Sequence, residues 1–239
     1  MQPALQFVSF VVGVSLFILI LSAMLRGQWR QYPFVFLYVL GDLVTTLLEV
    51  RPALKKYAAS AADRKAFSQL YYWDERVMQV LLFLLVISMI YQASSHLKSR
   101  LQLVGGAIVS VLVYAGISYL VAYNPNVTTG KWMNPWLRNL NFIAAILDMG
   151  LWALLIGARK KDYKLLMISG ALGIQFTAGA IGQALRYVAP AQSPVQWTGY
   201  LITLANLACL YIFWQAFRTP AEPAVPAVAQ DAQERRVNK

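Results

Sequence analysis

Charge is what this sequence has least of. Asp, Glu, Lys and Arg together supply 13% of its 239 residues, against about 25% in a soluble domain. So thin a polar coat excludes a water-soluble enzyme, and the low polarity equally excludes a disordered chain. Cysteine is almost missing. The single Cys209 lies in an apolar run, which rules out an intramolecular disulfide or a cysteine metal site and predicts a small core residue. Histidine is also single: His96 sits beside Lys98 and Arg100 at the end of a run, as a surface residue would. One histidine cannot provide paired haem ligands or a multi-histidine metal centre, so neither a metal nor a cofactor is expected. No lysine falls inside an apolar run, which excludes a retinal Schiff base. Gly-x-Ser-x-Gly and His-Glu-x-x-His are absent, so no catalytic residue is assigned and an enzyme is disfavoured. The Pro-Gln dipeptide of the seven-helix sugar transporters is absent too, and no internal repeat is evident.

What the chain does have is apolar length. Hydrophobic residues are 59% of the total, and about 20 helical residues cross a bilayer core of about 30 Å. Seven segments approach that length: 4–25, 33–50, 71–93, 102–123, 139–157, 164–188 and 196–217. They are too long and too evenly apolar for barrel strands. The predicted fold is therefore all-α, a polytopic seven-transmembrane-helix bundle over residues 1–218. The tail 219–239, rich in Ala, Pro and charge, is expected to be a disordered cytoplasmic end. No basic residue precedes the first run, while Arg26 and Arg30 follow it, so it reads as a retained span with its N-terminus outside. That orientation places 12 of the basic residues inside and 9 outside. The tight Arg159–Lys164 turn weighs most in favour of it, with the C-terminus inside. The net charge of +11 then reads as topology determinants and contacts with anionic lipid, not as a nucleic-acid surface.

Two connecting segments stand out. Residues 51–69 are Ala-rich with scattered Lys and Arg, and fit either a helix lying in the interface or a cap over the bundle. Residues 124–137 hold turn signals and two Trp, and are expected as a loop at headgroup level.

The acids carry the most information. Of ten, five lie in or at the rim of a span: Asp42, Glu49, Asp74, Glu75 and Asp148. A carboxylate at the bilayer centre costs about 2.5–3.5 kcal/mol on insertion scales, so each calls for a partner or a purpose. Tyr38, Asp42, Thr45 and Glu49 share one helical face. Asp42 and Asp148 both fall near mid-depth, where no Lys or Arg is available, and Asn206 lies at similar depth. Tyr38, Asp42, Asp148 and Asn206 are thus candidates for a mid-membrane proton or ligand site, or for hydrogen bonds holding helices together. At the outer rim, Glu49, Asp74, Glu75, Arg76 and Arg186 are expected to form one polar cluster, joined by Arg138 and followed by Gln79. It serves either as a clasp fixing helix order or as a ligand-binding mouth. Ser169, Gly173 and Thr177 form a small-residue stripe for close helix packing, and Gln175 and Gln183 are polar groups that this span can offer.

The stretches Arg30-Gln-Tyr-Pro-Phe34, Tyr71-Tyr-Trp-Asp-Glu75 and Tyr211-Ile-Phe-Trp214 resemble those of a group of seven-helix bacterial inner-membrane proteins without an assigned function. In that group an aromatic motif ending in an acid opens the third helix; here the acid pair follows the Trp directly. The resemblance implies a bacterial inner-membrane location and a seven-helix fold, and brings no activity. The expected function is a ligand-binding or sensing module, or an accessory subunit acting through a membrane-protein partner. The alternative is a proton-coupled small-molecule transporter using Asp42 and Asp148. A lipid-directed enzyme comes third, since no nucleophile or metal set accompanies the carboxylates.

Overall fold

A computed structural model describes residues 3–55, 61–126, 129–157, 162–188 and 192–218, with some helix-end side chains undescribed. Among these residues the structure is entirely helical. The helices are α1 (Pro3–Leu25), α2 (Pro33–Lys55), α3 (Ala61–Ala93), α4 (Arg100–Ala122), α5 (Thr129–Gly157), α6 (Tyr163–Val188) and α7 (Gln192–Arg218), with a 3₁₀ turn at Ser94–His96. Six of them contain stretches long and apolar enough to cross a membrane, as befits a multi-pass membrane protein. In α2 the apolar stretch found is the shorter Pro33–Leu48, which reaches as far as the described side chains of that helix.

Helix neighbours form a closed circuit. α1 packs on α2, α2 on α3, α3 on α5, α5 on α6, α6 on α7, and α7 returns to α1, while α4 leans from outside on α3 and α5. The interior is a single apolar core. Phe17, Ile20 and Met24 of α1 meet Val39 of α2, Leu85 and Met89 of α3, Leu151 of α5, Ile168, Leu172 and Phe176 of α6, and Phe213 and Phe217 of α7. The outward faces are apolar too, as lipid requires. On α4, Leu101, Leu112, Leu120 and Val121 are largely exposed. With lipid as solvent, close packing and interhelical hydrogen bonds hold helices together, because apolar side chains gain little by leaving one hydrocarbon for another.

At one end, the Gln28 end, the α1–α2 connection meets the start of α6 and the finish of α7. Gly27 adopts φ +122°, the left-handed turn that lets the Met24 carbonyl accept from the N–H groups of Gly27, Gln28 and Trp29. Gln28 Nε2 donates to the Phe217 carbonyl (3.4 Å), and Lys164 Nζ donates to Gln28 Oε1 (3.2 Å). Tyr32 stands edge-on to Phe217 at 5.7 Å. Asp162 caps α6, its Oδ1 accepting from the N–H groups of Lys164 (3.0 Å) and Leu165 (3.1 Å).

Two connections differ from the sequence expectation. Residues 51–55 end α2 and 61–69 begin α3, so helix runs in from both sides; 56–60 lie outside the described residues. Likewise 129–137 belong to α5, with Pro135 inside the helix. The reason is aromatic: Trp132 and Trp136, one turn apart, pack on Tyr119 at centroid distances of 5.7 Å, and Trp136 Nε1 donates to the Ala115 carbonyl of α4 (3.2 Å). Only a helix presents both indoles to α4 together.

Candidate functional site

The expected mid-depth residues fall into two groups. α5 and α6 run antiparallel, and their contact is built around glycine. An added Cβ at Gly173 would stand 3.0 Å from Asp148 Oδ2, one at Gly179 3.4 Å from Asn141 Nδ2, and one at Gly170 3.8 Å from Trp152. The missing side chains on α6 are the room that the polar groups of α5 occupy. There Asp148, 4% exposed, accepts a short hydrogen bond at Oδ1 from Ser169 Oγ (2.6 Å). It lies nine residues before the end of α5 at Gly157, about 13 Å along the axis at 1.5 Å per residue.

The second group is a string across three helices. Gln175 Nε2 donates to Tyr38 Oη (2.8 Å), and Cys209 Sγ donates to Gln175 Oε1 (3.3 Å). α2, α6 and α7 are joined by one amide that uses both its ends. Tyr38 lies one turn before Asp42 on α2, and Gln175 lies two residues after Gly173, the residue against Asp148. Asn206 is half-buried on α7 outside this string. Sequence reasoning assigned Cys209 to inert packing and did not pair Ser169 with Asp148. The seryl hydroxyl sits on the small-residue stripe that the glycines already marked, and that coincidence was the available signal.

At the opposite end, the Arg76 end, the expected cluster is represented in part. The side chains of Glu49, Glu75 and Arg186 lie outside the described residues, and Asp74 and Arg138 are half-buried. Arg76 lays its guanidinium over Trp73 (5.4 Å) and points Nη2 at Met133 Sδ of α5 (3.6 Å). Its Nε is buried and has no acceptor among the described residues. Gln79, one turn on and 8% exposed, likewise has a buried Nε2 with no acceptor. Two unmet donors side by side are unusual, since buried polar groups in folded proteins nearly always find a partner. Around this end the aromatic group of Tyr119, Tyr123, Trp132 and Trp136 packs with centroids 5.3–6.5 Å apart, in the manner of an interfacial belt.

No protein-family model, curated protein or solved structure matches this chain. The reading of function therefore rests on these side chains.

The chemistry open to them is recognition. Arg76 and Gln79 offer N–H donors to an oxygen acceptor. Asp148, with Ser169 on one oxygen, keeps acceptor capacity on the other. The Tyr38–Gln175–Cys209 string is a satisfied network, the arrangement that fixes helices in register.

Proposed function

We propose that this protein is a ligand-binding membrane module, sensory or accessory, that works through a partner protein. The observation that carries the reading is the pair of buried donors without acceptors among the described residues, Arg76 Nε and Gln79 Nε2. Leaving such a group unmet costs about 1–3 kcal/mol, and a ligand that brings an anionic oxygen, carboxylate or phosphate, recovers it. A clasp whose sole role is fixing helix order would be expected to close on itself. Glu49, Asp74, Glu75 and Arg186 border the same rim in this reading and set its selectivity. The protein spans a bacterial inner membrane seven times, α2 included, with the N-terminus outside and the C-terminus inside, so that the ligand arrives from outside. Its basic turns rest on anionic lipid at the cytoplasmic face.

The test is ligand-dependent stability in neutral detergent, using phosphatidylglycerol and inorganic phosphate as probes. At least one should raise Tm in the wild type and fail to do so in Gln79→Leu. If neither probe acts and Gln79→Leu is simply more stable, the unmet donors are a packing defect and the reading fails. Mild-detergent purification with mass spectrometry should in addition return a stoichiometric membrane-protein partner.

One observation favours a second reading, proton-coupled transport. A polar string crosses three helices, with Asp42 one turn from Tyr38 on α2 and Asp148 against Gly173, two residues from Gln175, at the depth where transporters place their sites. In that case Asp42→Asn reconstituted in liposomes abolishes pH-dependent flux while the protein stays folded; an unaltered pH response removes the reading.

A further inference from the structure

Between α5, α6 and α7 runs a groove of about 920 Å³ that none of the sequence motifs announced. It extends along α6 from Gly170 to Ile181, about 16 Å at 1.5 Å per residue. Its walls include Met149, Trp152, Ile174, Leu201 and Leu204, and the exposure of Met149 (73%) and Leu204 (65%) shows that it opens on the outward surface of the bundle. All three helices carry stretches suited to crossing a membrane, so that surface faces hydrocarbon. A purely apolar groove there would hold an acyl chain and discriminate little. This one has a single acid in its wall: Asp148.

Asp148 is placed for a ligand. Ser169 Oγ fixes the carboxyl through Oδ1, and the second oxygen packs against Gly173, itself a lining residue of the groove. Among the described residues of α5 the nearest basic side chain is Arg138, ten residues away, about 15 Å along the axis at 1.5 Å per residue. An acid in hydrocarbon gains most from a positive charge that arrives with its own apolar body. Phospholipid headgroups stay at the interface and do not bring their charge to mid-depth. A lipophilic amine does.

We propose that the groove binds a lipophilic amine, its protonated nitrogen on Asp148 and its apolar body lying along α6 between Trp152 and Leu204. The site is separate from the Arg76–Gln79 pair, because α3 contributes nothing to its wall. The full chain in nanodiscs of zwitterionic phospholipid is titrated with radiolabelled dodecylamine and, in parallel, with dodecanol of the same chain length. The expected result is saturable amine binding at least tenfold tighter than alcohol binding, and a loss of at least tenfold in Asp148→Asn. That substitution leaves an acceptor for Ser169. Leu204→Trp, which fills the far wall without touching the acid, should also weaken the amine and keeps the test decisive if Asp148→Asn fails to fold. Equal binding of amine and alcohol overturns the proposal, as does amine binding that ignores both substitutions. Amine that merely partitions into the nanodisc without saturating overturns it as well.

Discussion

Gln175 is the residue on which three helices converge. Its amide satisfies Tyr38 and Cys209 at once, so Gln175→Leu removes two interhelical hydrogen bonds while Tyr38→Phe removes one. Such bonds average about 0.6 kcal/mol in a membrane protein, with about 1.7 as an upper bound. Gln175→Leu should therefore lose about 1–2 kcal/mol in a denaturation titration, and Tyr38→Phe about half of that. Gly173 makes a complementary case. A methyl there meets the Asp148 carboxyl at 3.0 Å, whereas Gly105 has nothing within 4 Å. Gly173→Ala should destabilise by about 1–2 kcal/mol, as overpacking does, and Gly105→Ala should be neutral or stabilising. Both residues are glycines in apolar helices, and the small-residue stripe marked Gly173 for close packing without showing what it meets. The difference lies in which face α5 turns toward α6.

Among the elements, the end of α1, the start of α6 and the end of α7 form one locked corner. Asp162→Ala strips the cap from α6 and should cost about 1 kcal/mol. The same acid acts on Tyr32 at long range. Burial, aided by the charge of Asp162, pushes the Tyr32 phenol up to about 12 from its ordinary value of 10.0. A raised value in the folded state means that the unfolded chain ionises first. Stability is then full below pH 10 and declines as pH rises toward 12. Tyr32→Phe should flatten that decline in melting curves taken between pH 9 and 11.5. The helices themselves were legible from apolar run length, because in lipid every spanning backbone group must bond within its own segment. Their ends were less so. The Trp132–Trp136 pair looked like loop chemistry beside two Asn-Pro steps, and only the aromatic partners on α4 explain why helix extends back to Thr129. Of the outer cluster, Arg76 turns to Met133 and Trp73, contacts set by helix rotation that composition does not reveal.

For the molecule as a whole, Cys209 is 1% exposed, so the native chain already serves as a background for single-cysteine labelling. With the proposed orientation, a membrane-impermeant maleimide added outside intact cells should modify Asn126→Cys, in an exposed turn, and leave Ser99→Cys untouched until the membrane is opened. The reverse pattern would invert the topology. The circuit of helices has a consequence in time as well as in space. α1 packs more extensively against α7 than against its sequence neighbour α2, so it finds its main companion only after the five helices between them have been made. Until then Ile20 and Met24, which end fully enclosed, must rest against lipid or a chaperone. The bundle is therefore sealed late, when α7 meets α1, and a ribosome halted before α7 would leave α1 with an open seam.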